Sequence, residues 1–202
     1  MLSKDKTEKL IELFLEIDDF CMVFDQWIEA HSNKDFPRPR FEGIMHTSEI
    51  LTIIVFYHFS GYKCFQYYYQ ELVQQELKSY FPKQVGYKRF LQLISKSIPH
   101  LYVFIKWQSM FSERTGIYFI DSKKLPVCHN RRIHNHRVFK GLAARGRTST
   151  GWFYGLKLHL VVNNIGQIMN FTFTSGNVSD SNPEVLRHVL FKLKGNCYGD
   201  KG

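Results

Sequence analysis

From Trp152 to Asn163 apolar side chains recur at every second position, with Trp152, Tyr154, Leu156, Leu158 and Leu160 falling on one side. A period of two is the signature of a β-strand, because successive side chains point to opposite faces. Asn163-Asn164-Ile165-Gly166 then reads as a turn, and Gln167–Thr174 returns as the partner strand of a hairpin. Upstream, Gly116–Asp121 is short, β-branched and aromatic. Downstream, Asn182-Pro183-Glu184 combines a capping side chain, proline at the first helical position and an early acid. That helix is expected to run to about Leu193, with Gly195 closing it and Asn196–Asp200 forming a last strand. The order is strand, long excursion, hairpin, helix, strand. A strand entering after a helix crossover lies parallel to an earlier one, so the sheet should be mixed. This topology brings Asp121 and Asp200, each at the end of an apolar run, to the ends of adjacent strands.

The first half follows a different period. Leu10, Leu13, Phe14, Ile17, Phe20, Cys21, Phe24 and Ile28 recur at three- and four-residue spacing, as one buried helix face requires. Phe36-Pro37-Arg38-Pro39-Arg40 interrupts helical structure. Thr47 or Ser48 can cap a second helix, apolar almost all round from Ile50 to Phe59 and ended by Gly61. Cys64 to Leu77 predicts a third, and Tyr87 to Met110 one or two more, broken before Pro99. The fold expectation is therefore α+β or α/β: an all-helical region over 1–112, for packing, self-association or DNA-end reading, followed by a sheet-containing domain over 116–202. With 44% hydrophobic and 16% aromatic residues the chain can bury a core. It has no run of about 18 apolar residues that would cross a membrane. Its four cysteines form no CxxC pair, which fits a reduced, cytoplasmic protein.

Charge narrows the function class. Residues 122–179 are 58 consecutive positions without an Asp or Glu, and they carry Lys123, Lys124, Arg131, Arg132, Arg137, Lys140, Arg145, Arg147 and Lys157. Taking these nine from the 27 basic residues of the chain leaves 18 against 18 acids, so the whole net charge of +9 sits in this segment. A field so concentrated attracts a polyanion, above all a phosphate backbone. Arg145-Gly146-Arg147 fits this reading, since glycine lets the backbone approach while flanking guanidiniums fork onto phosphate oxygens. Lys157 and His159 share one face of their strand, either toward the active site or on the surface. Lone acids at strand ends beside a basic surface fit metal-dependent phosphoryl transfer, with Asp121 and Asp200 holding Mg²⁺, or Mn²⁺, through carboxylate oxygens. Asp180 and Glu184, the only other carboxylates after Asp121, read as a turn residue and a helix-entry acid. Cys128, His129, His134 and His136 could ligate zinc by residue type, but their spacing departs from zinc frameworks, so no zinc is expected.

Several consecutive stretches carry a family resemblance. They are Phe119–Asn130 (FIDSKKLPVCHN), Phe139–Ala143 (FKGLA), Gly151–Leu160 (GWFYGLKLHL), Ser175–Asp180 (SGNVSD) and Tyr198–Gly202 (YGDKG). Together they resemble bacterial insertion-sequence DDE transposases, in particular the insertion-sequence family numbered nine hundred and eighty-two. The resemblance implies an RNase H-like catalytic domain that cuts the ends of a mobile element and joins them to double-stranded target DNA. In that pattern Asp121 matches the first acid and Asp200 the second, while the third, a Glu on a later helix, matches no residue here. The expectation is a C-terminally truncated transposase, inactive alone. The alternative is a non-catalytic DNA-binding fragment that regulates or inhibits a full-length enzyme.

Overall fold

The computed structural model describes residues 2–31, 43–149 and 151–199; the Phe36–Arg40 interruption and Asp200 lie outside the described residues. The chain divides into two compact units, Met1–Phe104 and Ile105–Gly202. No helix among the described residues is long and apolar enough to cross a membrane.

The first unit is helical. Helix α1 (Lys4–His31) buries Leu10, Leu13, Ile17, Phe20 and Cys21, the stripe that the sequence period marks out. Helix α2 (Thr47–Ser60) begins one residue earlier than Thr47 or Ser48 would cap it. His46 is the cap position, and its backbone N–H donates to Glu49 Oε2 at 2.8 Å. Gly61 ends α2 in the left-handed region at φ 87°, where a side chain would be strained. Helix α3 (Phe65–Tyr67) widens at once into a π-helical stretch, Tyr68–Glu76. Within it Tyr68 and Tyr69 are fully buried, and their hydroxyls donate to the carbonyls of Ile53 (2.8 Å) and Val85 (2.7 Å). Helix α4 (Tyr87–Phe111) runs through Pro99 without the expected break. Proline removes one ladder donor. In the turn before it, Ser95 and Ser97 donate from their hydroxyls to the carbonyls of Leu91 and Leu93, as serine does in helices that bend rather than end. The unit boundary falls inside α4, between Phe104 and Ile105. The reason is chemical, since Lys106 Nζ donates to Asn170 Oδ1 (2.6 Å) and to the Phe171 carbonyl, and Ser112 Oγ donates to the Ile168 carbonyl at 2.9 Å.

The second unit is a five-stranded mixed sheet with the expected element order. Strands are β1 (Ile117–Cys128), β2 (Ala144–Thr148), β3 (Gly151–Asn163), β4 (Ile168–Ser175) and β5 (Asn196–Gly199), with α5 (Pro183–Val189) before β5. β3 is the spine. β1 lies antiparallel along one edge, while β2 and then β4 pair with successive halves of the other. β5 joins β1 in parallel, from Ile117↔Asn196 to Ile120↔Gly199. The hairpin turn is held by Asn163 Oδ1, which accepts from the N–H groups of Ile165 and Gln167. Asn182 caps α5 by accepting from Glu184 and Val185.

The second unit departs from the sequence reading at several points, among them α5, which ends at Val189 and not near Leu193. β1 continues well past Asp121, tolerating Pro126 where the β3 ladder is irregular, between Pro126 and Cys128. The Arg145–Arg147 segment, which the sequence reading leaves within the long excursion, is part of strand β2. The buried side of β3 is also not its continuous apolar side. Phe153, Lys157, His159, Val161 and Asn163 are buried, whereas Trp152 is 64% exposed. α5 explains this, because Val189 closes over Tyr118, Val161 and Met169 and so covers the odd-numbered face of β3.

Candidate active site and nucleic-acid interface

The register of β1 places the sequence-derived site residues on opposite faces of the sheet. Asp121 lies opposite Leu160 and is exposed, on the face away from α5. Ser122, its neighbour, lies opposite His159 and so belongs to the α5 face. Asp121 Oδ1 accepts from the Ser122 N–H at 2.7 Å, which orients the carboxylate. β5 runs parallel to β1 and its last described pair is Ile120↔Gly199, so its C-terminal end arrives beside Asp121. Asp200 follows Gly199 in the chain but lies outside the described residues. Among the described residues no three His, Cys, Asp or Glu side chains converge as a metal cluster. The exposed Asp121 carboxylate is an oxygen donor of the kind that hard divalent cations take.

Behind Asp121, on the α5 face, lies a polar network that the sequence did not reveal. Lys157, counted among the DNA-contacting bases, is 5% exposed and does not face solvent. Its ammonium donates to Asp180 Oδ1 and to the Val178 carbonyl, both at 2.9 Å. Burial works against the Asp180 carboxylate, but hydrogen bonds from Ser122 and Lys157 and the nearby positive charge outweigh it and hold the acid below its ordinary range. His159 is 1% exposed, with Nε2 at 2.8 Å from Thr174 Oγ1. Burial lowers its affinity for a proton, and Lys157 adds to this against the opposing pull of Asp180. Asp180 is therefore the counter-ion of a buried lysine and not a plain turn residue. The available signal was parity: Lys157 and His159 alternate with apolar residues on one strand, and a cation on a covered face requires an acid.

The remaining bases keep to the surface. Lys123, Arg131, Arg132, Arg137, Lys140, Arg145 and Arg147 are exposed and Lys124 is half-buried. Arg131 and Arg132 sit on a 3₁₀ turn, Asn130–Asn135, where His129 Nδ1 accepts from the Arg131 N–H. Val127, Cys128, His129, Arg132, Asn135 and His136 line a cavity of about 720 Å³. The His136 ring is stacked on Phe139 at 5.9 Å and meets the Tyr154 ring edge-on at 6.1 Å. Cys128, His129, His134 and His136 do not form a metal-holding group.

No curated protein and no solved structure matches this chain. Residues 111–202, which contain all five strands and α5, match the family model of the transposase DDE domain.

Proposed function

We propose that this chain is a DNA transposase of a bacterial insertion sequence, acting on element ends and target DNA by metal-dependent phosphoryl transfer. One observation carries the reading: the exposed carboxylate of Asp121 stands beside the end of a parallel strand, on a unit that draws seven exposed bases from one acid-free segment. Asp121 and Asp200 would hold Mg²⁺ or Mn²⁺, which when bound activates a water or 3′-hydroxyl and stabilises the departing oxygen. The protein's own part is positioning. The Ser122 N–H orients one oxygen of Asp121, and the seven exposed bases hold the DNA backbone.

The test is quantitative. If all seven bases neutralise phosphates, log affinity for duplex DNA falls against log salt with a slope of about −6, the limit for seven contacts. Asp121→Asn should leave that slope unchanged or raise affinity, by removing a negative charge from the DNA path, and should abolish any Mn²⁺-dependent nicking. Nicking that survives Asp121→Asn would refute the assignment. Salt-dependent binding with no nicking by the unaltered chain fits both an enzyme inactive alone and a regulator; inhibition of a nicking-competent DDE transposase by the added chain would favour the non-catalytic regulator.

A further inference from the structure

The β2–β3 hairpin presents one side outward for a structural reason. On its inner side Gly146 and Gly155 leave out a side chain where other groups come close, beside the buried Phe153. A Cβ on Gly146 would lie 2.0 Å from the Gly176 carbonyl oxygen, and one on Gly155 would lie 2.1 Å from that of Leu125. The hairpin therefore sits close against neighbouring backbone with the Phe153 ring buried on that side, and the residues that alternate with Gly146 and Phe153 face away. Those are Arg145 opposite Tyr154, and Arg147 opposite Trp152. Asn130 Nδ2 adds a further tie, donating to the Trp152 carbonyl at 2.9 Å. The outcome is a held tryptophan, 64% exposed, with the Arg147 guanidinium 5.9 Å from its ring centre.

The same side of β3 leads back to Asp121. Even-numbered residues share a face from Trp152 to Leu160, and Leu160 is the partner of Asp121. Eight residues of strand span about 26 Å. Lys123, opposite Leu158, lies on the same face between the two ends, followed by Arg145 opposite Tyr154. One face thus carries an acid at one end, bases between, and an aromatic–guanidinium pair at the other. Phosphates recognise the bases, but an indole beside a guanidinium recognises the flat π-surface of a nucleobase. A base within an intact duplex already has both faces stacked, so the indole is available only to one that has left the stack.

We infer that Trp152, supported by Arg147, is a stacking platform for an unpaired nucleobase of the DNA that Asp121 acts on, about 26 Å along the strand from that carboxylate. This rests on the DNA-binding reading above.

The experiment uses the full chain and three DNA probes: a fully paired duplex, the same duplex with one extrahelical nucleotide, and the single strand. Tryptophan fluorescence and affinity are read together. The expected result is quenching by the second and third probes, absent in Trp152→Phe at the Trp152 component. With it comes an affinity for the extrahelical probe about 10-fold above that for the paired duplex. Trp152→Val keeps a strand-forming residue but no ring, and should erase that preference while leaving paired-duplex affinity within about 2-fold. Equal affinity for all probes in the unaltered chain, or an equal loss on every probe in Trp152→Val, would overturn the platform while leaving DNA binding standing. Failure of all three probes to bind would overturn both readings.

Discussion

The Lys157–Asp180 pair makes an asymmetric prediction. Its two ends differ in environment: Lys157 is 5% exposed, whereas the Asp180 side chain is 54% exposed. Removing Asp180 strands an ammonium under the α5 side of the sheet, with the Val178 carbonyl as its remaining acceptor. Breaking a fully buried pair in this way costs about 3–5 kcal/mol. Because water already reaches the Asp180 end, a discounted cost of about 2 kcal/mol is expected for Asp180→Ala. Replacing Lys157 with methionine removes the buried charge, keeps an unbranched apolar stem and releases Asp180 to solvent. Its expected cost is within about 1 kcal/mol of zero. The double variant should then resemble Lys157→Met, because no stranded ammonium remains. Hydrogen exchange of the β3 and β4 amides, measured in parallel with urea unfolding, reports this unit without averaging over the helical one. A Lys157→Met loss equal to or larger than that of Asp180→Ala would refute the account. The pair would then be a net source of stability and not a buried cation held in check.

Two further outcomes follow from the same geometry. His159 gains a proton less readily when folded, so from about pH 6.5 downward the unfolded chain binds protons first and stability falls, by up to about 1.4 kcal/mol per pH unit; His159→Gln should flatten that slope between pH 6.5 and 5, and an unchanged slope would assign it to another group. Gly155→Ala drives a Cβ to 2.1 Å from the Leu125 carbonyl oxygen and should cost about 3 kcal/mol, whereas Gly141→Ala, strained only by its φ of 85° with open space around it, should cost about 1 kcal/mol; the reverse order in urea unfolding would refute the contact argument.

The parts legible in the sequence were those set by local chemistry. Asn182, Pro183 and Glu184 specify a helix start whatever surrounds them, and Asn163 to Gly166 specify a turn. β2 was illegible because Ala-Arg-Gly-Arg-Thr has no alternation of its own. Its extended form comes from pairing with β3, and Gly146 takes part by lacking a side chain. Pro99 misled in the opposite direction, since the rule against interior proline is local while α4 is anchored on both sides of it by the buried Phe90, Ser97 and Phe104.

The two faces of β3 show where the limit lies for the site itself. An apolar stripe and a buried stripe are normally the same stripe, but here the even-numbered positions are the more apolar and the odd-numbered ones the more buried. Lys157, His159 and Asn163 are tolerated on the covered face because each has a partner: Asp180 and Thr174 for the first two, and the Glu113 carbonyl with Gln167 for the third. None of these partners can be assigned from spacing alone. Charge behaves differently. The excess of nine bases in the acid-free segment is a property of composition, and folding can only decide which of them reach solvent. It withdraws Lys157, pairing it with an acid just outside the segment, and half-buries Lys124. The remaining seven stay exposed, so the proposed polyanion contact does not depend on Lys157.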